Sequence, residues 1–242
     1  MPCQSDQANG SSSNLSALVE SALEGLSARG FGLLPGLLTA PECRQLAADY
    51  EQSGLFRSRV LMARHGFGQG EYQYFAYPLP ELVQALRTKL YEALVPLANR
   101  WHYALGLPAD FPARHADYLA RCHQAGQSRP TPLLLRYEAG DFNCLHQDLY
   151  GEHVFPFQVI VQLSRAGTDF GGGELVMTEQ RPRMQSRPMV IALQQGDGVV
   201  IATRYRPVQG ARGHYRVNLR HGVSEVTHGM RHTLGLIFHD AQ

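Results

Sequence analysis

The chain has 242 residues and a formal charge of +1, from 22 basic and 21 acidic side chains, with 44% hydrophobic and 18% charged residues. This composition is typical of a folded protein of one domain and excludes a disordered chain or a strongly basic, histone-like nucleic-acid binder. A basic surface can therefore exist here only as a local feature.

The N-terminal residues and the cysteines indicate the cellular compartment that we expect for the protein. The four cysteines are scattered and form no Cys-x-x-Cys pair, which argues against a disulfide scaffold or a zinc ribbon. Residues 1–14 are polar and rich in serine, so we expect a flexible N-terminus without the apolar core of an export signal. No stretch approaches 18 consecutive apolar residues. We expect a cytoplasmic protein with no membrane partner.

Helical signals come first along the chain. Apolar residues recur at helical spacing over 15–26 and predict a helix that ends at Gly30, with a short strand at 31–34. Thr39 and Glu42 form a capping-box pattern around a proline, which predicts a second helix to about residue 50.

A long third helix is predicted from Pro80, with leucines and Trp101 along one face and a kink at Pro96. This apolar stripe is expected to be core. The glycine-rich stretch 64–72 lacks the strand-before, helix-after context of a phosphate-binding loop, and we expect a surface loop that lines a substrate cleft.

The second half of the chain has the pattern of a β protein. Short strands without intervening helices indicate a sandwich or barrel, with the helices packed outside it. We predict one α+β domain over 15–242, with helical support at 15–130 and a β core at 131–242. The candidate strands are 133–137, 142–148, 155–163, 174–179, 190–193, 199–203, 215–220 and 232–239.

One triplet in this β half carries chemistry. In a strand, residues two apart share a face, so His146 and Asp148 would project into the same space. With a distant second histidine they would form a 2-His-1-carboxylate set, which suits Fe(II). By itself the His-x-Asp pair is weak evidence for a metal site, and a solvated strand end is the more common interpretation.

The downstream segment supplies the missing groups. His221 ends one candidate strand, a turn is expected at His228 and Gly229, and Arg231 opens the next strand. We expect a hairpin that brings His221 to the metal while Arg231, through its planar fork, binds a carboxylate deeper in the barrel. His214 is the alternative third ligand.

These motifs resemble the 2-oxoglutarate and Fe(II)-dependent dioxygenases, whose pattern is His-x-Asp, a distal His, and an Arg or Lys about ten residues later. LRYEAG at 135–140, FGGGEL at 170–175 and QGD at 195–197 also match prolyl-hydroxylase-like members. HQDLYG at 146–151, with FPFQ at 155–158 and FHDA at 238–241, resembles a prokaryotic oxygenase family that has been predicted to act on alkylated DNA.

The resemblance implies a double-stranded β-helix, or jelly-roll, fold and an enzyme that uses O2, with ascorbate as a stimulant. It implies that Fe(II) is bound by His146, Asp148 and His221, and 2-oxoglutarate by Arg231, Tyr137 and Thr233. For Tyr137, simple packing inside the barrel is the alternative role. The products of such a reaction are succinate, CO2 and a hydroxylated substrate.

The sequence leaves the substrate class and the oligomeric state open. Residues 180–231 hold nine arginines and two acidic residues, which is either a phosphate-binding face or a consequence of an arginine-biased composition. Protein or small-molecule hydroxylation is the alternative to alkylated nucleic acid, and a non-catalytic jelly roll that binds a metal or anion is the alternative to an enzyme. An enzyme that flips a base needs a stacking wall, for which the candidates are Tyr150, Phe155, Phe157 and Tyr205.

Overall fold

A computed structural model describes residues 7–149 and 151–242, with side chains described from residue 15 onward. The helices are α1 (Gln7–Arg29), α2 (Ala40–Asp49), α3 (Glu81–Ala104) and α4 (His115–Gln124). The strands are β1 (Phe31–Leu34), β2 (Phe56–Leu61), β3 (Gly68–Gln69), β4 (Glu71–Phe75), β5 (Leu133–Glu138), β6 (Phe142–His146), β7 (Phe157–Gln162), β8 (Phe170–Gly172), β9 (Leu175–Gln180), β10 (Arg187–Ile191), β11 (Gly198–Ala202), β12 (Tyr205–Gly210), β13 (Gly213–Val223) and β14 (Val226–Ile237).

Two antiparallel sheets form the core. The larger has the order β1-β11-β7-β14-β5-β4-β2, with β8 paired to β14, and the smaller has the order β10-β9-β13-β6-β3, with β12 paired to β13. From β5 onward the chain passes back and forth between the sheets, which is the winding of a jelly roll. The predicted α+β fold with a double-stranded β-helix core is confirmed.

Strand β7 shows why the strands of the larger sheet have mostly apolar sequences. Because side chains alternate between the two faces, Phe157 and Val159 point to the helices while Gln158 and Ile160 point into the roll. The ring of Phe157 meets Trp101 of α3 edge-on, with the centroids 4.8 Å apart. The sheet is therefore covered on both faces.

The helices follow their local signals. Thr39 caps α2 with its hydroxyl on the backbone N–H of Glu42, and the Glu42 carboxylate accepts from the backbone N–H of Thr39 at 2.8 Å, so the predicted capping box is confirmed. α3 runs through Pro96 as one helix. Its buried Arg87 binds the Asp240 carboxylate at 2.8 Å and ties the C-terminal segment to the helix layer.

The first half of the chain is not only helical support. Residues 31–75 also contribute strands to both sheets: β1, β2 and β4 to the larger and β3 to the smaller. Strand β4 pairs with β2 on one side and with β5 on the other, where Glu71 lies opposite Arg136, so the second pairing depends on residues far apart in the sequence. Helix α1 begins at Gln7, within the segment expected to be flexible, and residues 1–6 lie outside the described residues.

Among the helices that the structure describes, none is long and apolar enough to cross a membrane.

Candidate metal centre

The smaller sheet brings the two histidines together. His146 at the end of β6 lies directly opposite His221 in the antiparallel ladder with β13, and the ring centroids are 4.3 Å apart. Asp148 follows β6 and turns inward, with its carboxylate oxygens 3.5 Å from His146 Nε2 and 3.3 Å from His221 Nε2. The three candidate ligand atoms lie within 4.8 Å of one another. This is a 2-His-1-carboxylate group of the type that holds Fe(II).

A hydrogen bond presents the free nitrogen of the His146 imidazole to the common centre. His146 Nδ1 donates to the backbone carbonyl of Cys144 at 2.8 Å, which leaves the Nε2 lone pair free. Burial and the neighbouring His221 lower the pKa of His146, so this ring stays neutral. Burial alone would raise the pKa of Asp148, but its hydrogen bond and charge interactions with His221, then with His146, lower it below its usual range. A neutral His146 and an ionised Asp148 are the forms that bind a cation.

Two glutamines brace this centre, and the sequence reasoning gave neither of them a role. The Gln158 amide on β7 donates to Asp148 Oδ2 at 2.8 Å and lies 3.0 Å from His221 Nε2. Gln147 donates to the backbone carbonyls of Arg204 and Leu219 at 3.0 and 2.8 Å. Gln147 therefore fastens the His-x-Asp segment to β13, and Gln158 links it to the larger sheet. The only local signal for Gln158 is a polar residue inside an apolar strand.

Arg231 lies in the same cavity, on the larger sheet. It is directly opposite Tyr137 in the β14–β5 ladder, and Thr233 is two residues on along the same face. Arg231 is only 2% exposed, and its Nε and Nη1 have no hydrogen-bond partner among the described residues. Burial lowers the pKa of Arg231 to about 10, so the side chain remains a cation at neutral pH.

An unpaired cation inside a protein costs several kcal/mol unless an anion joins it. The surroundings keep room for one. At Gly173, with φ +63°, a Cβ atom would come within 3.0 Å of Arg231 Cδ, so a larger residue would crowd this side chain. Burial raises the pKa of Tyr137 to about 12, and its neutral hydroxyl accepts a long 3.5 Å hydrogen bond from Asn143. Its own proton is free to be donated to an anion beside Arg231.

The cavity that joins these groups has a volume of 290 Å³ and lies between the sheets. The three candidate metal ligands stand on one wall and Arg231, Tyr137 and Thr233 on the other, so all six predicted site residues line one space. Aromatic and aliphatic side chains fill the remaining wall, including Phe67, Tyr72 and Tyr74 from the first half of the chain. The glycine-rich stretch 64–72 therefore lines the cleft as expected, although part of it forms β3 and β4.

The predicted hairpin between His221 and Arg231 is wrong. β13 ends at Val223 and β14 begins at Val226, and the two strands lie in opposite sheets. His228 is part of β14 and not of a turn. The two residues face each other because the chain crosses the barrel between them, which a turn signal in the sequence cannot reveal.

The competing histidines lie elsewhere. His214 is exposed near the start of β13, opposite Gln209, and is not part of the three-residue group. The ring of His232 is half-buried against Tyr50, with the centroids 5.6 Å apart. His239 is fully buried and accepts from the backbone N–H of Phe155 at 3.2 Å.

The candidate stacking residues do not form one wall of the site. Phe155 and Phe157 are fully buried in an aromatic cluster with Tyr91 and Trp101, so they serve packing and not stacking on a substrate. Tyr205 is half-buried on the outside of the smaller sheet, and Tyr150 lies outside the described residues.

Comparison with known proteins agrees with this geometry. The model of the Oxygenase-NA family, described as "Oxygenase, catalysing oxidative methylation of damaged DNA", matches residues 70–241. A Mycobacterium tuberculosis protein, "Uncharacterized protein MT2286", is 49% identical over 167 residues, which are 69% of this chain and 72% of that protein. "Uncharacterized protein Rv2227", from another strain of the same organism, matches to the same extent.

Two solved structures share the fold. A prolyl hydroxylase from Trichoplax adhaerens, in complex with a hypoxia inducible factor peptide fragment, superposes with a TM-score of 0.56 at 15% identity, covering 96% of this chain and 92% of that one. A 2OG-Fe(II) oxygenase family oxidoreductase from Burkholderia pseudomallei superposes with a TM-score of 0.50 at 18% identity, covering 100% and 95%. The chain thus belongs to the Oxygenase-NA family and is an oxygenase built on the jelly-roll fold of the 2-oxoglutarate and Fe(II) enzymes.

Proposed function

We propose that this oxygenase is a 2-oxoglutarate- and Fe(II)-dependent dioxygenase that oxidises a C–H bond of an alkylated nucleic acid. The observation that carries the cosubstrate assignment is the buried, unpaired Arg231 in the same cavity as His146, Asp148 and His221. A three-ligand metal site leaves coordination positions open. A cation placed deeper in the cavity matches a dicarboxylate that has its second carboxylate at a distance from the metal.

Each residue then has a defined task. His146, Asp148 and His221 would hold Fe(II), and Arg231 would bind the distal carboxylate of 2-oxoglutarate, with the hydroxyls of Tyr137 and Thr233 as further donors. When bound, Fe(II) and 2-oxoglutarate supply the oxidising chemistry that consumes O2, releases succinate and CO2, and adds oxygen to a substrate C–H bond. The apolar wall of the cavity excludes water from that chemistry.

The substrate class is proposed from the family description, which names damaged DNA. Oxidation of an N-methyl group gives a hydroxymethyl group that breaks down, so the net result on an alkylated base would be demethylation. The aromatic side chains Phe67, Tyr72 and Tyr74 at the cavity wall suit a planar base. Hydroxylation of a protein or of a small molecule is the rival outcome of the test.

The test is succinate release by the Fe(II)-loaded protein across methylated DNA and RNA, peptides and metabolites. We expect stimulation by methylated nucleic acid and its loss in His146→Ala. Fe(II) binding, measured by calorimetry under anaerobic conditions, should fall in the same variant. Stimulation by peptides or metabolites alone would contradict the proposed substrate. Metal binding without any turnover would favour a non-catalytic binding protein.

A further inference from the structure

Two hairpins of the smaller sheet meet along β13. The β12 strand pairs with residues 213–218 of β13 and the β9 strand pairs with residues 218–223, so that Asn218 is paired with Tyr205 on one side and with Gln180 on the other. The two hairpins and their flanking residues carry eight arginines. We call them the basic corner: Arg181, Arg183, Arg187, Arg204, Arg206, Arg212, Arg216 and Arg220.

The basic corner has far more positive charge than its neighbours neutralise. Glu179 pairs with Arg181 and Arg206 at 2.8 and 2.6 Å. The other six arginines are exposed, and none has an ion pair with a carboxylate among the residues that the structure describes. Ion-paired arginines, such as Arg165 with Asp169, are found elsewhere in the molecule.

The basic corner is connected to the candidate metal centre. Gln147, which stands between His146 and Asp148, donates hydrogen bonds to the backbone carbonyl of Arg204 at 3.0 Å. Arg220 immediately precedes His221 in β13 and points to the opposite face of the strand. The charged surface thus begins directly behind the wall that carries the three candidate ligands.

An aromatic ring lies within the charged surface. The guanidinium carbon of Arg204 lies 5.4 Å from the centroid of the Tyr205 ring, and that of Arg216 lies 5.0 Å from it. Arginines beside a half-exposed aromatic ring are typical of surfaces that bind the backbone of a nucleic acid and stack on its bases. Arg216 and Arg220, four residues apart in β13, span ~14 Å, the axial length of about four phosphates of a DNA strand.

We propose that the basic corner binds the phosphate backbone of a DNA substrate. The inference rests on the proposed function, since it locates a contact surface for the substrate of that same enzyme. A polyanion with regularly repeated charges fits a surface on which six exposed arginines have no ion pair with a carboxylate among the described residues. An acidic polypeptide would be a less regular match, and the experiment separates the two.

The experiment measures the affinity of the full-length protein for labelled single-stranded and duplex DNA by fluorescence anisotropy, at several salt concentrations, without added iron or 2-oxoglutarate. Three double variants are compared with the wild type. Arg216→Ala/Arg220→Ala removes two charges from the basic corner, and Arg216→Lys/Arg220→Lys keeps them. The matched control, Arg44→Ala/Arg129→Ala, removes two exposed arginines of α2 and of the segment before β5.

Each phosphate contact contributes about 0.9 to the slope of log K against log salt for duplex DNA, and about 0.7 for single strands. Loss of two contacts should therefore reduce the slope by about 1.8 or 1.4, and weaken binding roughly 60-fold or 25-fold at about 0.1 M salt. The lysine pair should retain most of the wild-type slope because a phosphate contact needs charge more than the guanidinium fork. The Arg44 and Arg129 control should bind as the wild type does.

Equal losses in the basic-corner variant and the control would overturn the proposal, as would displacement of DNA by polyglutamate at matched charge. Should the double alanine variant fail to fold in a thermal melt, the single variants Arg216→Ala and Arg220→Ala are each expected to show half the slope change. His146→Ala distinguishes the two proposals, since it should lose turnover and keep the affinity for DNA. Salt-dependent DNA binding without succinate release would refute the proposed reaction alone.

Discussion

Arg231 is the residue whose replacement tests the cosubstrate site most directly. The change to Met keeps a long, flexible side chain and removes the charge. Because Arg231 is 2% exposed and unpaired, its removal should leave the metal-free protein as stable as the wild type or more stable. Binding of 2-oxoglutarate to the metal-loaded protein should weaken by about 2 to 5 kcal/mol, since the distal carboxylate would lose its buried partner. This is roughly 30-fold to several-thousand-fold in Kd.

The chain offers a matched control in Arg87, a second buried arginine. Unlike Arg231, it is paired with Asp240 at 2.8 Å, and it also donates to the backbone carbonyls of Ile237 and His239. Arg87→Met would leave the carboxylate buried without its partner, and we expect a loss of about 3 to 5 kcal/mol. For a chain of this length that lowers Tm by about 6 to 20 °C. The two variants should therefore change stability in different directions.

The assay is a thermal melt of each anaerobic, Fe(II)-loaded protein with and without 2-oxoglutarate, supported by calorimetric titration. At about 100 times the wild-type Kd, the cosubstrate should stabilise the wild type by about 2.7 kcal/mol, and at the same concentration it should stabilise Arg231→Met by about 0.9 kcal/mol at most. A large fall in the stability of metal-free Arg231→Met would show that the side chain already has a partner. Unaltered affinity for 2-oxoglutarate would refute the assignment of Arg231 to the cosubstrate.

The remaining predictions concern the metal centre and acid stability. Gln158→Leu removes a donor to Asp148 and should weaken Fe(II) binding by about 10- to 100-fold in calorimetry; unchanged affinity would mean that the amide does not orient the carboxylate. His221→Ala should abolish Fe(II) binding, whereas His214→Ala should preserve it, and the reverse result would exchange their roles. Burial lowers the pKa of His239 to about 4, below its usual value of 6.5. As the pH falls from about 6.5 to about 4, His239 is protonated in the unfolded chain but stays neutral in the folded protein. The free energy of unfolding should therefore decrease in this window, and His239 alone should account for about 3 kcal/mol of the decrease. Urea unfolding at pH 7 and pH 4.5 measures this, and an equal free energy of unfolding at both would contradict it.

Local periodicity determined most of the β core. All eight candidate strands correspond to observed strands, because alternation between two faces is a property of the backbone and is written in the residues themselves. The prediction also gave β1, but it missed β8, β12 and the other strands of the first half, β2, β3 and β4. β4 illustrates the reason: its pairing with β5 is decided by burial between segments distant in sequence.

The candidate site also combines local features of the sequence with features that depend on the fold. The sequence by itself determined that His146 and Asp148 lie together, since two residues in one strand are a local arrangement, and motif order pointed to His221 and Arg231. Only the tertiary structure decided how these groups meet. The register of β6 against β13 sets His146 opposite His221, while β14 lies in the opposite sheet.

The arginines of 180–231 are the clearest case of what the fold adds. The sequence contains nine of them but does not show whether they form one surface. The β9–β10 and β12–β13 hairpins and their flanking residues carry eight of them, whereas Arg231 is enclosed in the cavity. Strand pairing and burial are set by the packing of the whole chain, and they separate one buried arginine, without an ion pair among the described residues, from eight others that the sequence cannot tell apart from it.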